Sequence, residues 1–127
     1  MMLAVQEPGR VYIDRPEGSR IHRQISRMIK HLRDQYHERN PLHAMPSSWL
    51  IEQLVINGAK TYILEQTHWQ QRVRLTLEQI IIDTSYDDCL YINNRNNLPL
   101  FPNNELFDAW EVHQAMKALL GYLDDKQ

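Results

Sequence analysis

Apolar residues recur at helical spacing along most of this sequence, and two prolines interrupt the pattern early. The first periodic stripe consists of Ile21, Ile25, Met28, Ile29, Leu32 and Tyr36. A stripe of this kind marks one face of an amphipathic helix, so we expect a helix over residues 19–38 with Ser19 as its N-cap. Asn40-Pro41 and Pro46 disfavour the helical conformation, so the chain must turn before it continues.

Three further helices are predicted after this break. The second, over residues 48–57, buries Leu50, Ile51, Leu54 and Val55 and stops at Asn57-Gly58. The third, over residues 68–84 with Thr67 as its cap, buries Trp69, Val73, Leu77, Ile80 and Ile81. The fourth, over residues 105–123, buries Phe107, Trp110, Met116, Leu119, Leu120 and Leu123. The short segment "AKTYILEQ" between the second and third helices has room for another helical turn.

The remaining segments read as irregular. Residues 85–103 are rich in Asn and contain Pro, which is typical of a loop, and we expect Leu98, Leu100 and Phe101 to anchor this loop to the core. Residues 1–18 are predicted to form an N-terminal arm, and residues 19–127 one helical domain. The sequence therefore predicts an all-α, single-domain bundle of four to five helices.

Charge is distributed unevenly over the 127 residues. Residues 10–39 carry a net charge of +4 and residues 40–127 a net charge of −5. A basic first third on a mildly acidic body permits an anionic ligand at one place, but it argues against nucleic acid as a partner. The chain has no apolar run long enough to cross a membrane, no signal for secretion and a single cysteine, so we expect a cytoplasmic protein.

Several kinds of chemistry are not favoured by the residue pattern. The six histidines lack the spacing of a metal site, and no cysteine pair accompanies them. Cys89 has no histidine close in sequence, and the carboxylate pairs Asp87-Asp88 and Asp124-Asp125 consist of adjacent residues that diverge. With four glycines in the chain, no glycine-rich phosphate loop is present. We therefore predict no metal site and no cofactor in this chain.

The stretch "MPSSWLIEQL" at residues 45–54 has two readings. In the first, Ser47 or Ser48 caps the second helix and Trp49 packs on the core. In the second, the free N–H groups of the helix start and the hydroxyl of Ser47 or Ser48 bind phosphate while Trp49 stacks on a base. The basic side of the first helix is likewise either a solvated face or an anion contact, in which Lys30 and its neighbour Arg27 would meet phosphates.

The two segments together resemble a known family. Residues 27–55, "RMIKHLRDQYHERNPLHAMPSSWLIEQLV", are similar to the helical domain of the cyclic GMP–AMP synthase and oligoadenylate synthase class of nucleotidyltransferases. In that class a Lys-containing helix is followed by a loop and a Ser-Ser or Pro-Ser step that opens the next helix. The segment "NNLPLFPNNELFDAWEVHQAMKALLGYL" is more weakly similar to the closing loop and last helix of the class.

The resemblance implies roles for individual residues. Lys30 stands where the family places a lysine on nucleotide phosphates, and Ser48 where a serine holds the phosphate tail. Trp49 stands where an aromatic residue, usually tyrosine, stacks on the base. The family's catalytic palm, with its metal-binding carboxylates, is absent: Gly18-Ser19 occurs, but no D-x-D pair follows. We therefore expect a nucleotide-recognition domain that is not catalytic by itself, with Mg²⁺ and ATP or GTP bound only if a palm completes the site.

A second hypothesis comes from a different class. The chain would then be a small cytoplasmic helical module for protein–protein interaction, similar to an antitoxin or an adaptor, and nucleotides would not bind. Partial exposure of Trp49, close to Lys30, would favour nucleotide recognition. A large exposed apolar patch elsewhere would favour the interaction module.

Overall fold

The computed structural model describes residues 16–85, 89–101 and 108–126, and side chains from residue 20 onward. These residues form an all-α bundle, as the sequence predicts. Within them the helices are α1 (Pro16–Arg39), α2 (Ser48–Gly58), α3 (Thr61–Leu64), α4 (Trp69–Asp83) and α5 (Ala109–Lys126). The short α3 is the extra helical turn for which the sequence has room.

The helix ends differ from the predictions by a few residues. Because α1 begins at Pro16, where a proline is well tolerated, Ser19 lies inside the helix and its prediction as N-cap is wrong. The last three residues of the predicted arm therefore belong to α1, and residues 1–15 lie outside the described part of the chain. At α4 the N-cap is His68, one residue after the predicted Thr67.

The core lies where α4 packs against α5 and where α2 packs against α1 and α4. The largest fully buried apolar side chains are Ile25, Ile29, Ile51, Leu54, Val55, Ile63, Leu77, Ile80, Val112, Met116 and Leu119. Every predicted core residue of α2 is buried. The central apolar stripe of each long helix thus faces inward, as helical periodicity requires.

Three residues predicted to be buried are exposed instead. Met28 lies at the edge of the α1 stripe and is 38% exposed, and Leu98 sits at the end of a tight turn and is 59% exposed. Trp110 belongs to the first turn of α5, where its ring stacks on His113 at a centroid distance of 5.4 Å, and it is 61% exposed. The predicted core residue Phe107 lies outside the described residues.

Residues 91–100 form a small hairpin rather than a shapeless loop. Its two ends pair through Leu100 N–H donating to the carbonyl of Tyr91 and Asn93 N–H donating to the carbonyl of Leu98. The turn contains Asn97 with φ of 61°, a left-handed conformation that asparagine adopts more readily than most residues. Leu100 is buried and Phe101 is half-buried, so these two residues anchor the segment as predicted.

Two side-chain amides of α2 hold this hairpin in place. Asn57 accepts the N–H of Ile92 at 3.0 Å and donates from Nδ2 to the carbonyl of Ile92 at 2.8 Å. One turn earlier, Gln53 Oε1 accepts the N–H of Asn94 at 2.8 Å. The amides thereby satisfy backbone groups that a neighbouring strand would satisfy in a sheet.

The base of the hairpin closes on α4 through Tyr91. Its hydroxyl donates to Asp83 Oδ2 at 2.6 Å, and Asp83 also lies 3.6 Å from Lys60 Nζ. Burial and the hydrogen bond to Asp83 raise the pKa of Tyr91 far above its ordinary value. The contact requires Gly58, since a Cβ there would lie 2.7 Å from Ile80 Cγ1 and 2.9 Å from the Tyr91 hydroxyl.

Candidate functional site

The loop between α1 and α2 is fixed by the last turns of α1. Asn40 N–H and Asn40 Nδ2 both donate to the carbonyl of Tyr36, which closes the end of the helix. The Tyr36 hydroxyl lies 2.5 Å from His43 Nδ1, and the two rings are in contact. Pro46 is buried at the end of the loop. These contacts set the direction in which α2 starts.

Ser47 is the N-cap of α2. Its Oγ accepts the N–H of Leu50 at 3.1 Å, and its carbonyl accepts the N–H of Ile51 at 3.0 Å. The amides of Ser48 and Trp49 precede the first hydrogen bonds of the helix, where partial positive charge accumulates. The first turn of α2 contains no acidic residue. Ser47 therefore fulfils the capping role that the sequence allowed for it, and Ser48 is the first helical residue.

Arg33 connects α1 to the start of α2, and the sequence reasoning missed it. Its Nη1 donates to the carbonyl of Pro46 at 3.1 Å and to Ser48 Oγ at 3.2 Å, while its Nε donates to Asp34 at 2.9 Å. The signal was present in the sequence, because Arg33 lies three residues after Lys30 and so shares its helix face. The guanidinium places a positive charge beside the serine hydroxyl that the resemblance assigns to phosphate.

Lys30 lies one helical turn before Arg33 on α1, and its side chain also faces α2. Its Nζ forms an ion pair with Glu52, and the two side chains are 26% and 46% exposed. The order of the contacts, Arg33 with Ser48 and Lys30 with Glu52, shows that α1 and α2 run antiparallel. The sequence reasoning also missed Glu52, although its position four residues after Ser48 puts it on the same face of α2.

Trp49 stands at the open edge of this junction. It is 43% exposed, and it lies three residues before Glu52 on neighbouring positions of the α2 surface. Lys30 and Ser48 thus lie at contacts between α1 and α2, and Trp49 follows Ser48 at the start of α2. Arg27 is exposed one turn before Lys30 on α1 and forms no ion pair among the described residues. Arg27 would therefore contact a ligand at the start of α2 only through its own long, extended side chain.

The α1–α2 junction contains the groups that an anion-binding site needs, and its positive and negative charges are equal in number. Its two cations, Lys30 and Arg33, each contact one carboxylate, that of Glu52 and that of Asp34. Trp49, whose side chain is partly open to solvent, follows Ser48 in the first turn of α2. A ligand that combines negative charge with a flat ring system suits such a surface, provided that it competes successfully with the two carboxylates.

The described residues contain neither a metal-binding cluster nor a membrane-spanning helix. Over residues 16–85, 89–101 and 108–126, no group of three or more His, Cys, Asp or Glu side chains is arranged to hold a metal ion. None of the helices in these ranges combines the length and the apolar character that crossing a bilayer requires.

Comparisons with known protein families, with curated proteins and with solved structures found no match to this chain.

Proposed function

We propose that this chain recognises a nucleoside triphosphate at the α1–α2 junction, as the nucleotide-recognition domain of a nucleotidyltransferase-like protein. The observation that carries the proposal is the contact of Arg33 with Ser48 at the start of α2, next to a tryptophan that is 43% exposed. A positive charge, a hydroxyl donor and the free N–H groups of a helix start can each bind phosphate oxygens. The exposed ring supplies a surface for the base.

Each residue has a separate role in this proposal. The Ser48 hydroxyl and the Arg33 guanidinium bind the phosphates nearest to α2, and Lys30 binds the next phosphate along the chain. Trp49 stacks on the base, which requires ring area and no hydrogen-bonding group, so tryptophan serves as well as the tyrosine of the resembled family. Ser47 fixes the helix start, and Arg27 adds positive charge at the outer edge.

No catalytic role is assigned to this chain. Group transfer between nucleotides depends on carboxylates that hold two metal ions, and in this proposal they belong to a palm domain on another chain or segment. Mg²⁺ enters with ATP or GTP only when such a palm completes the site. The expected location of the protein is the cytoplasm.

Nucleotide titration tests the proposal directly. ATP and GTP, each with and without Mg²⁺, are added to the purified chain while tryptophan fluorescence is followed, and calorimetry provides a signal that does not depend on Trp49. We expect saturable binding that Trp49→Ala and Lys30→Ala weaken, with a loss of about tenfold for the stacking residue.

Matched variants control for general effects. Trp110→Ala removes a more exposed tryptophan from α5, and Lys117→Ala removes an exposed lysine of the same helix, far along the chain from the junction. Neither change should alter nucleotide affinity. Equal losses in Trp49→Ala and Trp110→Ala, or no binding at millimolar nucleotide, would contradict the proposal.

A second candidate function is supported by a different surface. Ile82 in the last turn of α4 is 56% exposed and Trp110 in the first turn of α5 is 61% exposed. These two helix ends meet, since His113 Nδ1 lies 2.9 Å from the carbonyl oxygen of Ile81. Exposed large apolar side chains of this kind are common in protein–protein interfaces. If the chain is an interaction module, Trp110→Ala should abolish self-association or partner binding measured by sedimentation, while Trp49→Ala should leave it unchanged.

A further inference from the structure

Glu52 pairs with Lys30 and so occupies the place that a phosphate would take in the proposed nucleotide site. Its carboxylate comes from α2 and its side chain is 46% exposed, so it can swing toward solvent without unfolding any element. The pair is also reached from the Trp49 side, because Trp49 and Glu52 share a face of α2. A phosphate therefore gains the full charge of Lys30 only when this carboxylate moves away.

The cost of that displacement depends on the charge of the ligand. A phosphodiester carries one negative charge, so it replaces one anion on Lys30 with another and leaves Glu52 close to a like charge. Like charges at short range repel, and the exchange brings no gain. A triphosphate carries several charges on one linked chain, so it gains a second cation, Arg33, whose partner carboxylate Asp34 is 67% exposed.

The spacing of the two cations suits a linked phosphate chain. Arg33 and Lys30 are three residues apart on α1, which corresponds to about 4.5 Å along the helix axis. A single polyphosphate can contact both cations, whereas an isolated phosphate contacts one of them. The carboxylate of Glu52 thus affects ligands of different charge to different extents.

We propose that Glu52 is a specificity-determining residue, which competes for Lys30 and restricts the α1–α2 junction to nucleotides with a polyphosphate chain. This inference rests on the proposed function of the junction. It assigns to Glu52 the exclusion of nucleic-acid backbones and of nucleoside monophosphates, and it names di- and triphosphates as the accepted class.

The test compares three probes on the whole chain. ATP, AMP and the dinucleoside monophosphate ApA are titrated by calorimetry into the wild-type chain and into Glu52→Gln, which keeps the side-chain size and removes the charge. For the wild type we expect ATP to bind more tightly than AMP or ApA. In Glu52→Gln we expect affinity for ATP to rise about two- to fivefold, the range that an exposed ion pair supplies. Affinities for AMP and ApA should rise by a larger factor than the affinity for ATP, so that the preference for ATP narrows; an equal or smaller factor would overturn the role of Glu52.

Glu65→Gln is the matched control. Glu65 is exposed beyond the end of α3, and its replacement changes the net charge of the protein by the same amount. An equal gain in affinity in Glu65→Gln would show a general charge effect and would overturn the role of Glu52. Unchanged or weaker ATP binding in Glu52→Gln, with circular dichroism showing a folded chain, would overturn it as well.

The outcomes separate this inference from the proposed function. If ATP binds neither the wild type nor Glu52→Gln, the proposed function fails, and the role of Glu52 fails with it. If ATP binds both equally and Trp49→Ala weakens that binding, the nucleotide site stands and only the role of Glu52 is wrong.

Discussion

Two junctions in this bundle are held by polar side chains, and they differ in how much water reaches them. At the α1–α2 junction, the side chains of Lys30 and Glu52 are 26% and 46% exposed. At the junction of α4 with the hairpin, Tyr91 is 5% exposed and donates to Asp83. An ion pair that is exposed to water breaks and re-forms with other ions at little cost in stability, whereas breaking a buried hydrogen bond without replacing it is costly. The first junction is therefore suited to a ligand and the second to holding the fold together.

The largest expected effect is at Gly58, and it would show how tightly the second junction is packed. In Gly58→Ala the new Cβ meets Ile80 and the Tyr91 hydroxyl, so we expect a loss of about 1–3 kcal/mol in the free energy of unfolding, measured with urea. Gly121→Ala is the control, because no atom lies within 4 Å of a Cβ at that position of α5. It should stabilise the protein by about 0.5–1 kcal/mol. A loss in both variants would contradict this explanation.

Tyr91→Phe examines the hydrogen bond of the same junction. Removing the hydroxyl leaves a carboxylate oxygen of Asp83 without its donor, and we expect destabilisation of about 1–2 kcal/mol in urea unfolding. Tyr62→Phe removes an exposed phenol that donates to Gln79, and it should cost less. Equal losses in the two variants would show that burial does not distinguish these hydrogen bonds.

The raised pKa of Tyr91 also predicts a dependence of stability on pH. Burial and Asp83 keep the hydroxyl protonated in the folded state at pH values where the unfolded chain loses this proton. The stabilisation is fully present below about pH 10, the ordinary pKa of tyrosine, and falls as pH rises further, since the unfolded state then binds fewer protons. Urea titrations between pH 8 and about 11 should show a shallower fall for Tyr91→Phe than for the wild type.

Ser47→Ala tests the helix start at the first junction. The loss of the cap to Leu50 N–H should cost about 1 kcal/mol in the free energy of unfolding. Ser48→Ala removes an exposed hydroxyl that accepts from Arg33, so it should change stability by less than about 0.5 kcal/mol. If Ser48→Ala proved the more destabilising of the two, the assignment of Ser47 as the cap would be wrong.

The smallest expected effect on stability is that of Lys30→Gln. Its ion pair with Glu52 is partly exposed, so we expect a change below about 0.5 kcal/mol. A loss of more than about 2 kcal/mol would show that the first junction holds the fold as the second does, and the contrast between them would disappear. Urea unfolding of Lys30→Gln and the wild type in the same buffer measures this difference in the free energy of unfolding.

The sequence predicted the helices well because their signal is local. The apolar spacing of α2 and the serine at its start depend on neighbours within four residues, and both predictions are confirmed. The exposure of Trp110 was predicted wrongly, because it depends on where α4 ends relative to the first turn of α5. Periodicity identifies the face of a helix and carries no information on how far its partner extends.

Some residues of the α1–α2 junction can be named from the sequence for the same reason. Lys30, Ser48 and Trp49 were named from sequence; Lys30 and Ser48 lie at contacts between α1 and α2, and Trp49 is partly exposed beside Ser48 in the chain. Arg33 and Glu52 were missed, although both lie one helical turn from a residue that was named. Which side chains meet across two helices depends on the register of their packing, and the sequence of either helix alone does not define that register.

The attachment of the hairpin to α2 has a consequence for how the protein opens. The amide hydrogens of Ile92 and Asn94 are held by Asn57 and Gln53, so they are released only when the hairpin separates from α2. The hydrogen–deuterium exchange rates of these two amides should therefore match the rate of the Leu100 amide, which donates to the carbonyl of Tyr91 within the hairpin and belongs to a buried residue. The last turns of α2 and residues 91–100 would then form one cooperative unit, built from segments more than thirty residues apart in the chain.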